Sequence, residues 1–168
     1  MLILVLVLIV VVVNFKRVWC RCFGVDNKEV VKMNLPLSLS NKDRSYMEMA
    51  IQEAFNADRF FRARHGAVLI KGGSLISRGY NKNSHCSFGG RFRNLFVKGE
   101  PTLHAELACV LGISRGKTSG ATIYVVRLDK DDHLRMSKPC PMCMAALRFV
   151  GVNKVVFTTN DGVDIIRI

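Results

Sequence analysis

Two short motifs hold the residues best suited to chemistry: His104 with Glu106 two positions on, and Pro139-Cys140-Pro141-Met142-Cys143. Zinc favours thiolate and imidazole, and a catalytic zinc keeps three protein ligands with its fourth position open to water. His104, Cys140 and Cys143 satisfy that count, which leaves the Glu106 carboxyl free to move protons. Two other readings compete. A closed structural zinc site would need a fourth ligand, from Cys109, Cys86, His85 or His133. A redox Cys-x-x-Cys would need none of the rest, but Pro139 and the upstream His-x-Glu speak against it. Glu106 tips the balance toward catalysis.

The elements that must position these residues can be read around them. Pro141 suits the first turn of a helix, where its missing N–H costs nothing, and Gly151 ends that helix. Cys140 then falls at the cap and Cys143 in the first turn. Unpaired backbone N–H groups and the helix dipole favour thiolate there. Thr102 can cap a second helix that runs to Leu111 and stops at Gly112, with His104 in its first turn. Glu106, two residues from His104, is off the histidine's face of that helix. It is placed beside the metal's open position and not as a ligand.

Elsewhere the chain alternates helix and strand. Ser45-Tyr46-Met47-Glu48 reads as a capping box opening a first helix to about Arg59. Ala67 to Ile70 and Leu75 to Arg78 flank Lys71-Gly72-Gly73-Ser74 as a hairpin. Asn81 to Gly99 is a long loop, and long loops in compact domains are usually functional or disordered. Ala121 to Val126 reads as a buried strand, Leu128 to Lys138 as a polar loop, and Lys154 to Thr159 as a strand. Asn160-Asp161-Gly162 is a turn before Val163 to Ile168. Too few residues follow Thr159 for the dozen or so that a parallel crossover needs, so a last strand pairing with its predecessor must be antiparallel.

The chain has 168 residues, 49% of them hydrophobic, which is enough for one domain with a real core. Its formal net charge is +12: Met1 to Arg44 holds seven basic and three acidic residues, and the remainder 18 and 10. That excess favours anionic partners such as phosphates, nucleic acid or acidic membrane surfaces. Six cysteines with a Cys-x-x-Cys suggest metal chemistry in a reducing compartment, and so a cytoplasmic location. Leu2 to Val13 is an unbroken apolar run, shorter than the roughly 17 residues a membrane span needs. It also lacks the leading charge and cleavage site of a signal peptide. Membrane association through residues 1–15 is one reading; an apolar tail, or a start at Met33, is another. Lys16, Arg17 and Arg21 would hold such an anchor's C-terminal side in the cytoplasm, and Cys20 and Cys22 would be open to acylation. The expected organisation is an apolar segment 1–15, a linker 16–44 and a folded domain 45–168.

His-x-Glu followed by Pro-Cys-x-x-Cys is the zinc-deaminase signature, and over about Ser45 to Ile168 the chain resembles the cytidine and deoxycytidylate deaminase superfamily. The resemblance implies a three-layer α/β/α fold around a mixed five-stranded sheet, with Zn²⁺ on His104, Cys140 and Cys143. It implies that Glu106 carries a proton from water to the ring nitrogen while ammonia leaves the amino-bearing carbon. It also implies that Asn81, in Gly79-Tyr80-Asn81, contacts the sugar, and that the chain forms a homo-oligomer. A first ligand of histidine looks like the deoxycytidylate, tRNA-adenosine and guanine branches, and Pro139 to Leu147 looks most like the last two. Those branches carry a helix before a parallel last strand, and this chain has no room for one. The expected activity is hydrolytic deamination of a cytosine-type nucleotide or nucleoside, in nucleotide and pyrimidine metabolism. The alternatives are tRNA adenosine or guanine, or a silent zinc-stabilised nucleic-acid-binding protein.

Further residues bear on the substrate. Arg91 or Arg93 could bind a nucleotide's phosphate. The segments Arg59 to His65 and Arg91 to Lys98 interleave arginine with Phe60, Phe61, Phe92 and Phe96, as in surfaces that hold RNA or single-stranded nucleic acid. The simpler reading buries the phenylalanines and solvates the arginines. Cys109 reads as a core residue, His133 as a surface one, and His85 and Cys86 as solvated loop residues with a second metal site as the alternative.

Overall fold

The structure, a computed structural model, describes residues 35, 39–93 and 102–168. All lie in one compact unit, Asn34–Ile168. The apolar segment 1–15, most of the linker 16–44, and Phe96 and Lys98 lie outside the described residues.

The first described helix, α1 (Asn41–Asn56), begins before the expected box. Ser40 is its cap: its hydroxyl accepts the Asp43 N–H at 3.1 Å and donates to the Asp43 carboxylate at 2.6 Å. Ser40 and Asp43 thus do what Ser45 and Glu48 were expected to do, and such a cap is worth about 1 kcal/mol. The start of the folded part therefore reaches into the expected linker. Met47, Ala50 and Ala54 are fully buried along one side.

After α1 come the strands β1 (Arg64–Lys71) and β2 (Ser74–Tyr80), the expected hairpin, turning through Gly72 and Gly73 at positive φ. Two glycines fix where helices lie on it. A Cβ at Gly66 would sit 2.1 Å from the Ala50 carbonyl oxygen of α1. At Gly79 a Cβ would sit 2.7 Å from the Ala105 carbonyl oxygen, on a different helix. Gly79 pairs with Ala67, the neighbour of Gly66, so the two glycines face opposite sides of the sheet. Helices on both faces give the three layers expected.

The segment expected to be loop carries β3 (Lys82–His85) and a single turn, α2 (Ser87–Gly90). β3 pairs antiparallel with β4 (Thr102–Leu103), which takes the residues expected to open the next helix. That helix, α3 (Ala105–Val110), is followed by the short α4 (Arg115–Thr118) and then β5 (Thr122–Leu128). The expected polar loop after β5 turns back as β6 (Leu134–Arg135), paired antiparallel with it. Arg64, buried, bonds the Asp129 carbonyl at 2.6 Å and pairs with Asp132, tying this turn to β1.

α5 (Pro141–Phe149) then crosses over to β7 (Lys154–Thr158), which lies parallel to β5. β8 (Val163–Arg167) returns antiparallel to β7, as the short connection requires. The sheet runs β2-β1-β5-β7-β8, with β6 beside β5. Its core on the α3 and α5 side holds Ala67, Leu69, Ile123, Val125, Leu147 and Val155. Cys109 belongs to it, with its thiol bonded to the Ala67 carbonyl at 3.0 Å. No helix among the described residues is long and apolar enough to cross a membrane.

Candidate metal centre

Both motifs arrive as helix caps. His104 is the N-cap of α3, which begins two residues later than expected, because Thr102 and Leu103 are drawn into β4. Its carbonyl accepts the Ala108 N–H at 2.9 Å. Cys140 is the N-cap of α5, its carbonyl accepts the Met144 N–H at 2.9 Å, and Pro141 takes the first helical position. With the cap carbonyls occupied by backbone, the three side chains are left to face one another.

They converge. Nδ1 of His104 lies 3.6 Å from Sγ of Cys140 and 3.4 Å from Sγ of Cys143. A tetrahedral zinc with its usual Zn–N and Zn–S distances would hold such atoms about 3.6 Å apart. The donor set and its spacing fit zinc. Among the described residues the cluster takes in no fourth histidine, cysteine or carboxylate, so it matches an open site and not a closed one. Cys86, Cys109, His85 and His133 do not join it. Cys86 is not solvated, as the sequence suggested, but buried: it caps α2 and packs beside Leu107 and Cys143.

The electrostatics of the cluster suit a cation. The hydrogen bond from the Cys143 thiol, followed by that from His104, pulls the Cys140 thiol down to about 4 against the opposing effect of burial. His104 is raised in turn, first by its hydrogen bond to Cys140. Cys143 is raised because it donates to Cys140 and is buried. Glu106, buried at the second position of α3, is raised by desolvation and hydrogen-bonds Cys143. A carboxyl adjoining the cluster, inclined to hold a proton, can accept one and release it again.

The cluster opens into a cavity of about 340 Å³, bordered by His65, Asn81, Thr102, Ser137 and Lys138 together with His104, Glu106 and Cys140. That volume suits one nucleoside-sized ligand. Asn81 reaches it, but its side chain also braces the start of β1. Oδ1 accepts the His65 N–H at 2.7 Å, and Nδ2 donates to the Ala63 carbonyl at 3.2 Å. Arg91 follows α2 and Arg93 closes that stretch of described residues; neither borders the cavity. Phe61 does, while Phe60 is 96% exposed, so burial of the pair is not what the fold does. Phe92 packs between Phe88 and Phe149. Sequence reasoning passed over His65, Ser137 and Lys138. His65 precedes the stretch read as a strand, and the other two sat in a supposed polar loop.

Residues 40–159 match the family described as the cytidine and deoxycytidylate deaminase zinc-binding region. The chain is 29% identical over 124 residues to a tRNA-specific adenosine deaminase of Bacillus subtilis, covering 71% of this chain and 63% of that protein. It is 28% identical over 120 residues to a tRNA-specific adenosine deaminase of Agrobacterium fabrum, covering 69% and 64%. The chain thus spans a little under two thirds of these relatives. Among solved structures, the cytidine deaminase from Mycobacterium leprae aligns over 76% of this chain and 94% of its own, at 19% identity and a TM-score of 0.46.

Proposed function

This chain belongs to the cytidine and deoxycytidylate deaminase zinc-binding family, and from that premise we propose that it hydrolytically deaminates adenosine held in RNA. The convergence of His104, Cys140 and Cys143 beside the buried Glu106 carries the deaminase reading. The choice of base rests on similarity to tRNA-specific adenosine deaminases and on the net charge of +12, which suits a polyanion. The sequence alone put a cytosine-type substrate first and adenosine second; these relatives favour the reverse order.

His104, Cys140 and Cys143 would hold the zinc, which supplies Lewis acidity and lowers the pKa of a coordinated water. Glu106 takes a proton from water and delivers it to the ring nitrogen next to the amino-bearing carbon. Its burial keeps bulk water from exchanging that proton. One water is consumed, the C–N bond breaks, and adenosine becomes inosine with release of ammonia. Asn81 retains one amide hydrogen for the sugar after its two bonds to β1, and Lys138 at the rim suits a phosphate. Arg91 and Arg93 would serve nucleic acid beyond the pocket.

A second reading, a free cytosine nucleoside, is favoured by β8. Its antiparallel pairing with β7 departs from the parallel last strand of the branches that the zinc motifs resemble. Ammonia release from an RNA stem-loop adenosine, cytidine, dCMP and guanine, assayed side by side, separates the two. Turnover of cytidine alone would overturn the adenosine assignment. Glu106→Gln should lower turnover by about 100- to 10,000-fold, as loss of a general acid–base does, while zinc stays bound. Activity surviving that change would remove Glu106 from the proton path.

A further inference from the structure

We propose that His65 is a specificity-determining residue that presents an imidazole acceptor nitrogen to a hydrogen-bond donor of the substrate, a sugar hydroxyl or a base N–H. This rests on the deaminase reading of the cavity above.

His65 is the second residue of β1. Its strand partner in β5 is Arg127, and alternation puts its side chain on the same face as Ala67 and Leu69, the face of the metal cluster. There the imidazole borders the cavity that Glu106 and His104 share. The position is held firmly. The His65 N–H is taken by Asn81 Oδ1 at 2.7 Å, and the His65 carbonyl accepts the Asn81 N–H at 3.2 Å.

The ring's protonation follows from its neighbours. The Ala63 backbone favours a proton on the ring, and in the neutral form one ring nitrogen carries the N–H. Across the strand pair stands the Arg127 guanidinium, whose Nε is buried without a hydrogen-bond partner among the described residues. Burial, followed by that positive charge, holds the imidazole down at about 4, so it is neutral at physiological pH. A neutral imidazole that donates from one nitrogen can only accept at the other. Of the other polar side chains of the wall, Lys82, Lys138 and the Asn81 amide offer donors, the Ser137 hydroxyl is taken by Val125 and Thr158, and Glu106 is engaged in moving protons. His65 is therefore an uncharged acceptor beside the reacting groups, with Asn83 and Thr102 the other side chains of the wall that could accept.

The test compares zinc-loaded full-length wild type with His65→Val and His65→Asn. The substrates are an RNA stem-loop with adenosine at the target position and the same stem-loop with 2′-deoxyadenosine there. His65→Val should raise KM about tenfold, the usual effect of losing one hydrogen bond, with little change in kcat. His65→Asn, which keeps an acceptor, should recover most of that loss. A penalty that vanishes on the deoxy substrate identifies a sugar hydroxyl as the donor; one that persists on both identifies a base N–H. Equal KM for wild type and His65→Val overturns the proposal. So does an Asn variant no better than Val at matched zinc content and melting temperature. Wild type inactive on RNA adenosine but active on cytidine would sink the adenosine reading alone, and the same comparison would then be made on cytidine and 2′-deoxycytidine. Should neither variant fold, ¹⁵N resonances of the wild-type His65 ring decide. Product, inosine or uridine, should shift the unprotonated nitrogen, and an unmoved resonance at saturation overturns the proposal.

Discussion

Among the described residues two groups of three metal-type side chains lie close together, and of these two only one is free to bind. His104, Cys140 and Cys143 form the first; Asp129, Asp131 and His133 form the second, and in each the ligand atoms lie within 4.8 Å of one another. The difference lies in what their lone pairs are already doing. Asp129 Oδ1 accepts the N–H groups of Asp131 and His133 at 2.9 Å each, and Oδ2 accepts Nε of Arg135 at 2.8 Å. That carboxylate is spent closing the turn between β5 and β6. In the first group the caps satisfy backbone with backbone, and among the described residues the sulfurs and imidazole interact with one another, with Glu106 and with the Cys143 amide. Proximity alone does not make a metal site; unspent donors do.

Breaking the first group should have the largest effect. Cys143→Ser removes a buried sulfur donor, and zinc affinity measured against a competing chelator should fall by more than about 100-fold, beyond what loss of an outer-shell partner costs. Zinc bound as tightly as in wild type would show that the cluster is not the metal centre. The paired change Asp131→Ala with His133→Ala should leave zinc content and turnover where they were. If zinc is lost with it, the contrast between the two groups collapses. The smallest effect is one of pH. Hydrogen bonding, first from the His133 amide, holds Asp129 down at about 2 against an ordinary 3.8. Its contribution to the turn is therefore complete above pH 4 and is lost as pH falls through about 2. The Asp131 and His133 amide resonances, followed by NMR, should keep their folded positions through pH 4 and move only below it. A midpoint near 4 would mean that the turn does not hold this carboxylate.

Much of the centre was legible because its chemistry is local in sequence. His-x-Glu and Pro-Cys-x-x-Cys each declare a helix start, and Pro141 fixes where α5 begins. The antiparallel β8 followed from the length of its connection alone. Less was legible where distant residues decide. Thr102 looked like a cap until β3 paired with β4 and passed that role to His104. The turn after β5 read as polar loop because its order comes from Arg64, far away in the chain. His65 was hard to place for the same reason: it ended a basic and aromatic segment that gave it no role of its own, and only the register of β1 with β5 brings it to the cavity.

Gly66 lies next to His65 and touches none of the chemistry, yet a methyl group there would overlap the backbone of α1 at both Ala50 and Ala54. A backbone obstacle cannot swing aside as a side chain can, so position 66 has no neutral substitutions open to it. Among descendants of this sequence the pocket could change its base, its rim and even its acceptor at position 65. The site at 66 would stay glycine throughout, recording the distance between a helix and a strand and not any preference of the enzyme.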